Sequence, residues 1–293
     1  MRVAEPVSQA LAAGRPVVAL ESTVITHGLA RPENLEVARA MVDAVARGGA
    51  LPAVIALLGG EVRVGLSEGE LEALAENPDA EKASLWNLAA LAAGKKDAGT
   101  TVAATAFLAH RAGIAVFATG GIGGVHLAPF DESADLVALS KTPIVVVSSG
   151  MKSILDLEAT LERLETLGVA VVGYRTDRLP AFHSPTSPYP LPARVESPEE
   201  AAAVFKAQRA LGLPSALLVF NPVSEGLPFE RVGAWVEAAN REARAQGIHG
   251  KALTPFLLRR LAELSGGETD RANRRLLVEN ARLAAAIARA LAG

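Results

Sequence analysis

Short apolar runs alternate along this chain with longer stretches in which apolar residues recur every three or four positions. Six runs of four or five residues stand out: 17–20, 54–58, 115–118, 144–147, 169–173 and 216–219. Runs of this length with little polar alternation read as strands buried on both faces. Helices fill the intervals. One opened by Pro32 runs to about Arg47 and stops at Gly48-Gly49. Ser67-Glu-Gly-Glu70 and Ser197-Pro-Glu-Glu200 read as capping boxes, with Pro198 at the favoured first helical position. Thr100 is placed to cap a helix through His110, and the last helix starts near Asp270. Strands alternating with helices predict an α/β fold: a layered sandwich with a mixed, largely parallel central sheet flanked by helices. Residues 1–293 read as one domain, since no repeat or low-complexity linker divides them. The stretch 180–192, with five prolines, is too short to separate domains and reads as an ordered loop or arm.

Composition narrows the chemistry. Half of the residues are apolar and the net charge is −3. Acids and bases are interspersed and aromatics make up only 4%. With no basic stripe, nucleic-acid binding is not expected. The absence of cysteine excludes thiolate nucleophiles, disulfides and Cys-based zinc sites. No apolar signal core or run of eighteen apolar residues occurs, so a soluble cytoplasmic protein is expected, with no membrane partner. Few Asn and Gln and many Arg suit a heat-adapted source, or a GC-rich genome.

Four segments and one further residue could carry chemistry. Ile144-Val-Val-Val-Ser-Ser-Gly-Met-Lys152 reads as a buried strand, a tight small-residue turn, and then a lysine at the mouth of a helix. A helix N-terminus and partial burial would both favour the neutral amine that imine chemistry needs. The chain has only seven lysines against twenty-two arginines, but a solvated strand-exit lysine is an equal reading. Glu21 closes the run 17–20, at the kind of strand end where ligands sit in open α/β sheets. It is a candidate acid or base, or an exposed strand-end carboxylate. Ala118-Thr-Gly-Gly-Ile-Gly-Gly-Val-His126 has the wrong spacing for a dinucleotide fingerprint. It could turn its N–H groups toward a phosphate, or simply pack closely. Asp131-Glu-Ser-Ala-Asp135 could supply a ligand for Mg²⁺ or Mn²⁺, although spacing alone favours an N-cap acid followed by a solvated one. Asn273 could read a base edge or cap the last helix.

Together these segments resemble the pseudouridine-5′-phosphate glycosidase, or indigoidine synthase A-like, family. The matching stretches are Ala19-Leu-Glu-Ser-Thr-Val-Ile-Thr-His-Gly28, Gly99-Thr-Thr-Val-Ala103, Phe117-Ala-Thr-Gly-Gly-Ile-Gly-Gly-Val-His126, Phe130-Asp-Glu-Ser-Ala-Asp-Leu136 and Ser149-Gly-Met-Lys-Ser-Ile-Leu-Asp156. Leu179-Pro-Ala-Phe182, Asn221-Pro222, Gly250-Lys-Ala-Leu-Thr-Pro-Phe256 and Glu263-Leu-Ser-Gly-Gly-Glu268 follow in family order. The resemblance implies cleavage of the C–C glycosidic bond of pseudouridine 5′-phosphate to uracil and ribose 5-phosphate, by an enzyme of the lyase class. It implies Lys152 as imine-forming nucleophile and Glu21 as proton donor. It assigns substrate contacts to Lys82, Val102, His126, Ser133, Ala134, Asp135 and Asn273, and a Mn²⁺ ligand to Asp131. It also implies a homotrimer. The segment 179–192, with Phe182 and Tyr189 and no charged side chain, would suit an arm against a neighbouring subunit.

The implied chemistry suits these residues. The leaving atom is a carbon without a lone pair, so an ordinary carboxylate pair does not suffice. An acid at the ribose ring oxygen and an amine at C1′ give a route through a ring-opened imine. Two departures from the family pattern concern phosphate. His126-Leu-Ala-Pro-Phe130 is shorter than usual and lacks an arginine, and Phe182-His-Ser-Pro lacks one too. The rival readings are a related lyase acting on another C-nucleotide or sugar phosphate, a non-catalytic nucleotide- or sugar-phosphate-binding protein, and a role in pigment biosynthesis.

Overall fold

The computed structural model describes residues 1–127, 131–248 and 253–293. The strands, in chain order, are β1 (Arg2–Val3), β2 (Val17–Leu20), β3 (Leu51–Leu58), β4 (Glu61–Val64), β5 (Glu81–Ala83), β6 (Ala98–Thr100), β7 (Val116–Ala118), β8 (Val145–Ser148), β9 (Ala170–Tyr174), β10 (Arg194–Val195) and β11 (Leu217–Phe220). They form one mixed sheet. Its main path runs β1-β4-β3-β2-β7-β8-β11-β9-β10. From β3 to β10 every neighbouring pair is parallel.

The long strand β3 joins two parts of the sheet. Its first half pairs with β2, from Val17↔Leu51 to Leu20↔Val54. Its second half pairs antiparallel with β4 and with β6, and β6 is parallel to β5. Thus β6 takes up pairing with β3 just beyond the point where β2 ends at Leu20. This exchange leaves Glu21 at an open strand end and brings β5, with Lys82, alongside.

The strands alternate their side chains between two layers of helices, as the pleat requires. Val17, Ala19, Phe117, Val146 and Leu218 face one apolar cluster, and Val18, Leu20, Val116, Val147 and Val219 face the other. The first cluster is covered in part by α1 (Glu5–Ala12), α5 (Val102–Arg111), α6 (Ala134–Leu139), α7 (Leu157–Thr166), α9 (Phe229–Ala245) and α10 (Leu253–Leu264). The second is covered by α2 (Glu33–Arg47), α3 (Glu68–Glu76), α8 (Pro198–Ala210) and α11 (Glu268–Ala292). A short α4 (Leu88–Ala93) stands beside β5. This is the expected layered α/β sandwich.

Several local expectations change. Ser67 and Glu70 do form a reciprocal capping box. Ser197 caps Glu200, but the Glu200 carboxylate returns to the N–H of Glu196 rather than that of Ser197. Thr101, not Thr100, caps α5. Thr100 is buried and bonds to the carbonyl of Ile55, to Ser22 and to Thr105. The last helix begins at Glu268, which puts Asn273 in its second turn, too deep to cap it. The segment expected to reach a neighbour folds back at its start. Leu179, Ala181, Phe182, His183 and Ser184 are all buried within their own subunit.

Candidate active site

The sheet's carboxyl edge places the candidate acid. Glu21 follows Leu20, which pairs with Ala118, so Glu21 lies beside Thr119. The Thr119 hydroxyl donates to Glu21 Oε1. Burial raises the Glu21 pKa above the ordinary carboxylate value, against the lowering pull of Lys152 and the Thr119 bond. Thr119 is itself anchored by Asn280 on α11. Asn280 is fully buried, and its Nδ2 donates to the Thr119 carbonyl at 2.9 Å and to Ser149 Oγ at 3.1 Å. Its Oδ1 accepts from Asn221 at 3.0 Å. One amide therefore ties together the ends of β7, β8 and β11. Sequence reading passed over both Asn280 and Thr119, and its only usable signal was a polar residue in an apolar helix stripe.

Lys152 follows β8, but not at a helix mouth. α7 starts only at Leu157, capped by Asp156. Lys152 begins a turn, in which the N–H of Leu155 donates to its carbonyl. Its own N–H donates to the Ile122 carbonyl at 3.2 Å, so it is not one of the free N–H groups of a helix start. The second amine is Lys82, on β5 opposite Gly99. Asn87 braces the loop after it, accepting from Ser84 N–H at 2.8 Å and donating to the Lys82 carbonyl at 3.0 Å. Lys82 is reached by water but stands in a concavity. Loss of bulk water around it and the neighbouring Lys152 both lower its pKa.

Several N–H groups in and beside the glycine loop are already taken. Ile122 N–H donates to the Gly150 carbonyl, Gly123 N–H to Asp135 Oδ2 at 2.8 Å, and Val125 N–H to Thr160. The other Asp135 oxygen accepts from Ala103 N–H at 2.9 Å. Asp135, expected to hold substrate, thus pins the glycine loop to the start of α5. None of the four loop glycines has a positive φ. They are small because a Cβ at Gly121 would lie 2.6 Å from the Phe182 ring, and one at Gly123 2.6 Å from Ser133 Cβ. Close packing accounts for their small size.

These pieces line one cavity of about 680 Å³. Its wall includes Glu21, Lys82, Lys152, His126, Asp131, Ser133, Ala134, Asp135 and Asn273. Phe182, Thr254 and the exposed Trp86 join them. A cavity of this size suits a nucleotide-sized ligand. Val102 is the one expected contact not brought to the wall: it is 2% exposed at the first position of α5. Ser133, not Asp131, caps α6, and Asp131 precedes that helix with its carbonyl bonded to His126 N–H. The two carboxylates are therefore not stacked on one helical face. Burial lowers the His126 pKa, and Asp131 opposes this. Among the described residues no group of three His, Asp or Glu is disposed to cage a metal. Asp131 on the wall does fit a hard ion held by one carboxylate and otherwise by water and ligand oxygens. Two lysines and two histidines line the cavity, and among the described residues no arginine does.

The model of the family described as "Indigoidine synthase A like protein" matches residues 6–290. This chain belongs to that family. Among its family relatives, a protein of Thermus thermophilus is 70% identical over 95% of this chain and 98% of its own length. One from Mesorhizobium japonicum is 52% identical over 98% and 95%. Both are named pseudouridine-5′-phosphate glycosidase. Among solved structures, an indigoidine synthase A-like protein of Thermotoga maritima has a TM-score of 0.89 and 42% identity, covering 96% of this chain and 94% of its own. The prealnumycin C-glycosynthase AlnA, in complex with ribulose 5-phosphate, has a TM-score of 0.92 and 39% identity, covering 99% and 96%. Among the described residues no helix is long and apolar enough to cross a membrane.

Proposed function

We propose that this chain cleaves pseudouridine 5′-phosphate to uracil and ribose 5-phosphate through an imine on Lys152. The observation that carries the reading is the meeting of Glu21, whose pKa burial raises, with Lys152 and Lys82 in one nucleotide-sized cavity. The names of the closely similar relatives supply the substrate.

Glu21 gives its proton to the ribose ring oxygen as the C1′–O4′ bond breaks and Lys152 Nζ bonds to C1′. The proton displaced from Nζ returns to the carboxylate. C5 of uracil takes a proton as the C1′–C5 bond breaks, and the nitrogen lone pair closes the C1′=N bond. Water then adds at C1′, releasing ribose 5-phosphate and the free amine. Lys82 adds positive charge beside the reacting centre. Asp131, with water, would hold Mn²⁺, which would supply charge for the phosphate and its hydration shell. The relative with ribulose 5-phosphate supports an open-chain sugar, because that ketose phosphate has no free 5-hydroxyl with which to close a furanose ring. That relative is a C-glycosynthase, which favours reversal of the same C–C step as a second activity.

Incubation with pseudouridine 5′-phosphate and Mn²⁺, followed by detection of uracil, tests the reading. Stoichiometric uracil and ribose 5-phosphate are expected, and an unchanged substrate would reject it. A cytoplasmic homotrimer completes the proposal. Light scattering should give about three times the 30.3 kDa chain mass.

A further inference from the structure

We propose that His183 is a positioning residue which, through Ser153, fixes the turn that presents Lys152. The inference rests on the reading of Lys152 as the imine-forming amine. Four observations lead to it.

First, the segment 179–184 is tied across the turn after β8. Phe182 N–H donates to the Ser149 carbonyl at 2.8 Å, Ala181 bridges to Gly150, and Ser153 Oγ lies 3.0 Å from His183 Nδ1. Second, the strap lies too close for any side chain beneath it. Gly150 has φ +80°, and a Cβ there would overlap the Pro180 carbonyl. Third, His183 is held from behind. Its carbonyl accepts from Leu227 N–H at 2.7 Å, and its ring meets Phe182 edge-on at 4.7 Å. Phe182 itself has φ +60°, a conformation a bulky residue keeps only when its surroundings fix it. Fourth, His183 is only 2% exposed, and burial lowers its pKa to about 3. The ring is therefore neutral at working pH, and the Ser153 bond does not change with ordinary acidity.

Neither Ser153 nor His183 lines the cavity. Their bond acts on the residue next to Lys152. The main-chain bond from Lys152 to Ile122 holds one side of the turn, and the Ser153–His183 bond holds the other. A small misplacement of a reacting group costs about 10²-fold in rate, so loss of this tie should appear in the covalent step rather than in binding.

The test compares the parent with Ser153→Ala, His183→Leu and His183→Asn. The rate of borohydride-trapped adduct formation with ribose 5-phosphate is measured, together with kcat, KM and the melting temperature. Ser153→Ala removes one oxygen and spares the packing. It should slow adduct formation and kcat by about 10- to 100-fold, with KM within about twofold. His183→Leu should do the same. His183→Asn, with an amide near the Nδ1 position, should recover most of the rate. A folded Ser153→Ala protein that traps the sugar as fast as the parent would overturn the inference. A failure of His183→Asn to exceed His183→Leu would overturn it too. If the parent itself forms no adduct, the Lys152 reading falls, and this inference falls with it.

Discussion

Two segments follow neighbouring parallel strands and look alike in sequence. Residues 119–124 leave β7, and residues 149–152 leave β8. Both are rich in small residues, and both suggest a backbone built to hold a ligand. In the structure they divide the work. The first is largely taken up by packing: the N–H groups of Ile122 and Gly123 meet Gly150 and Asp135, and Phe182 and Ser133 occupy the space where Cβ atoms would be. The second is braced from behind, and its last residue, Lys152, faces the cavity. Small residues after a strand thus mark close approach in either case. The partner of each N–H decides whether that approach serves a ligand or another part of the chain.

The largest effects should come from the braced segment and its acid. Lys152→Arg should abolish turnover while leaving the fold intact, since a guanidinium stays protonated and cannot form the imine. Substantial uracil release by this variant would remove the contrast between the two segments. Glu21→Gln should lower turnover by about 10²- to 10⁴-fold, as loss of a positioned acid does. A rate within a few-fold of the parent would make Glu21 a structural partner of Thr119 only.

Gly123→Ala should act the other way. The added Cβ meets Ser133, so stability should fall by about 1–3 kcal/mol in urea unfolding. The affinity for ribose 5-phosphate should hold in the protein that remains folded. A stable variant with greatly weakened sugar-phosphate binding would restore the anion-binding reading of the loop.

A smaller effect follows from the Glu21 proton. The folded protein holds this proton above the ordinary carboxylate pKa, so between the two values the unfolded chain binds fewer protons. The resulting stability is fully present below about pH 4.5 and is lost as pH rises through the folded value. Glu21→Gln should flatten this part of the curve of melting temperature against pH. An unchanged curve would show that Glu21 keeps an ordinary pKa. In the parent, the reaction that needs this acid should slow with rising pH over the same window.

The core strands were legible because apolar runs of four or five residues have few other uses in a chain of this composition. The six runs expected match β2, β3, β7, β8, β9 and β11 to within a few residues. β5 and β6 were not legible. They are three residues long, and Glu81-Lys-Ala83 carries no apolar run, yet they deliver Lys82. Ser153-Ile-Leu-Asp156 has a helix-like pattern, but Asp156 starts a new helix and leaves Lys152 in a turn. Glu21, Lys152 and Asn273, which meet on the wall, were readable from motif, the first two also from their places at strand ends. Asn280 was not, because its role exists only where three strand ends converge. The match to the family spans Phe130 and Gly250-Lys-Ala252, which lie outside the described residues.

The most direct test asks which amine bonds to the sugar. Ribose 5-phosphate and borohydride should add one reduced sugar phosphate per chain, located by peptide mass at Lys152 and absent from the Lys82 peptide. An adduct on Lys82, or none in a preparation that releases uracil, would contradict the account.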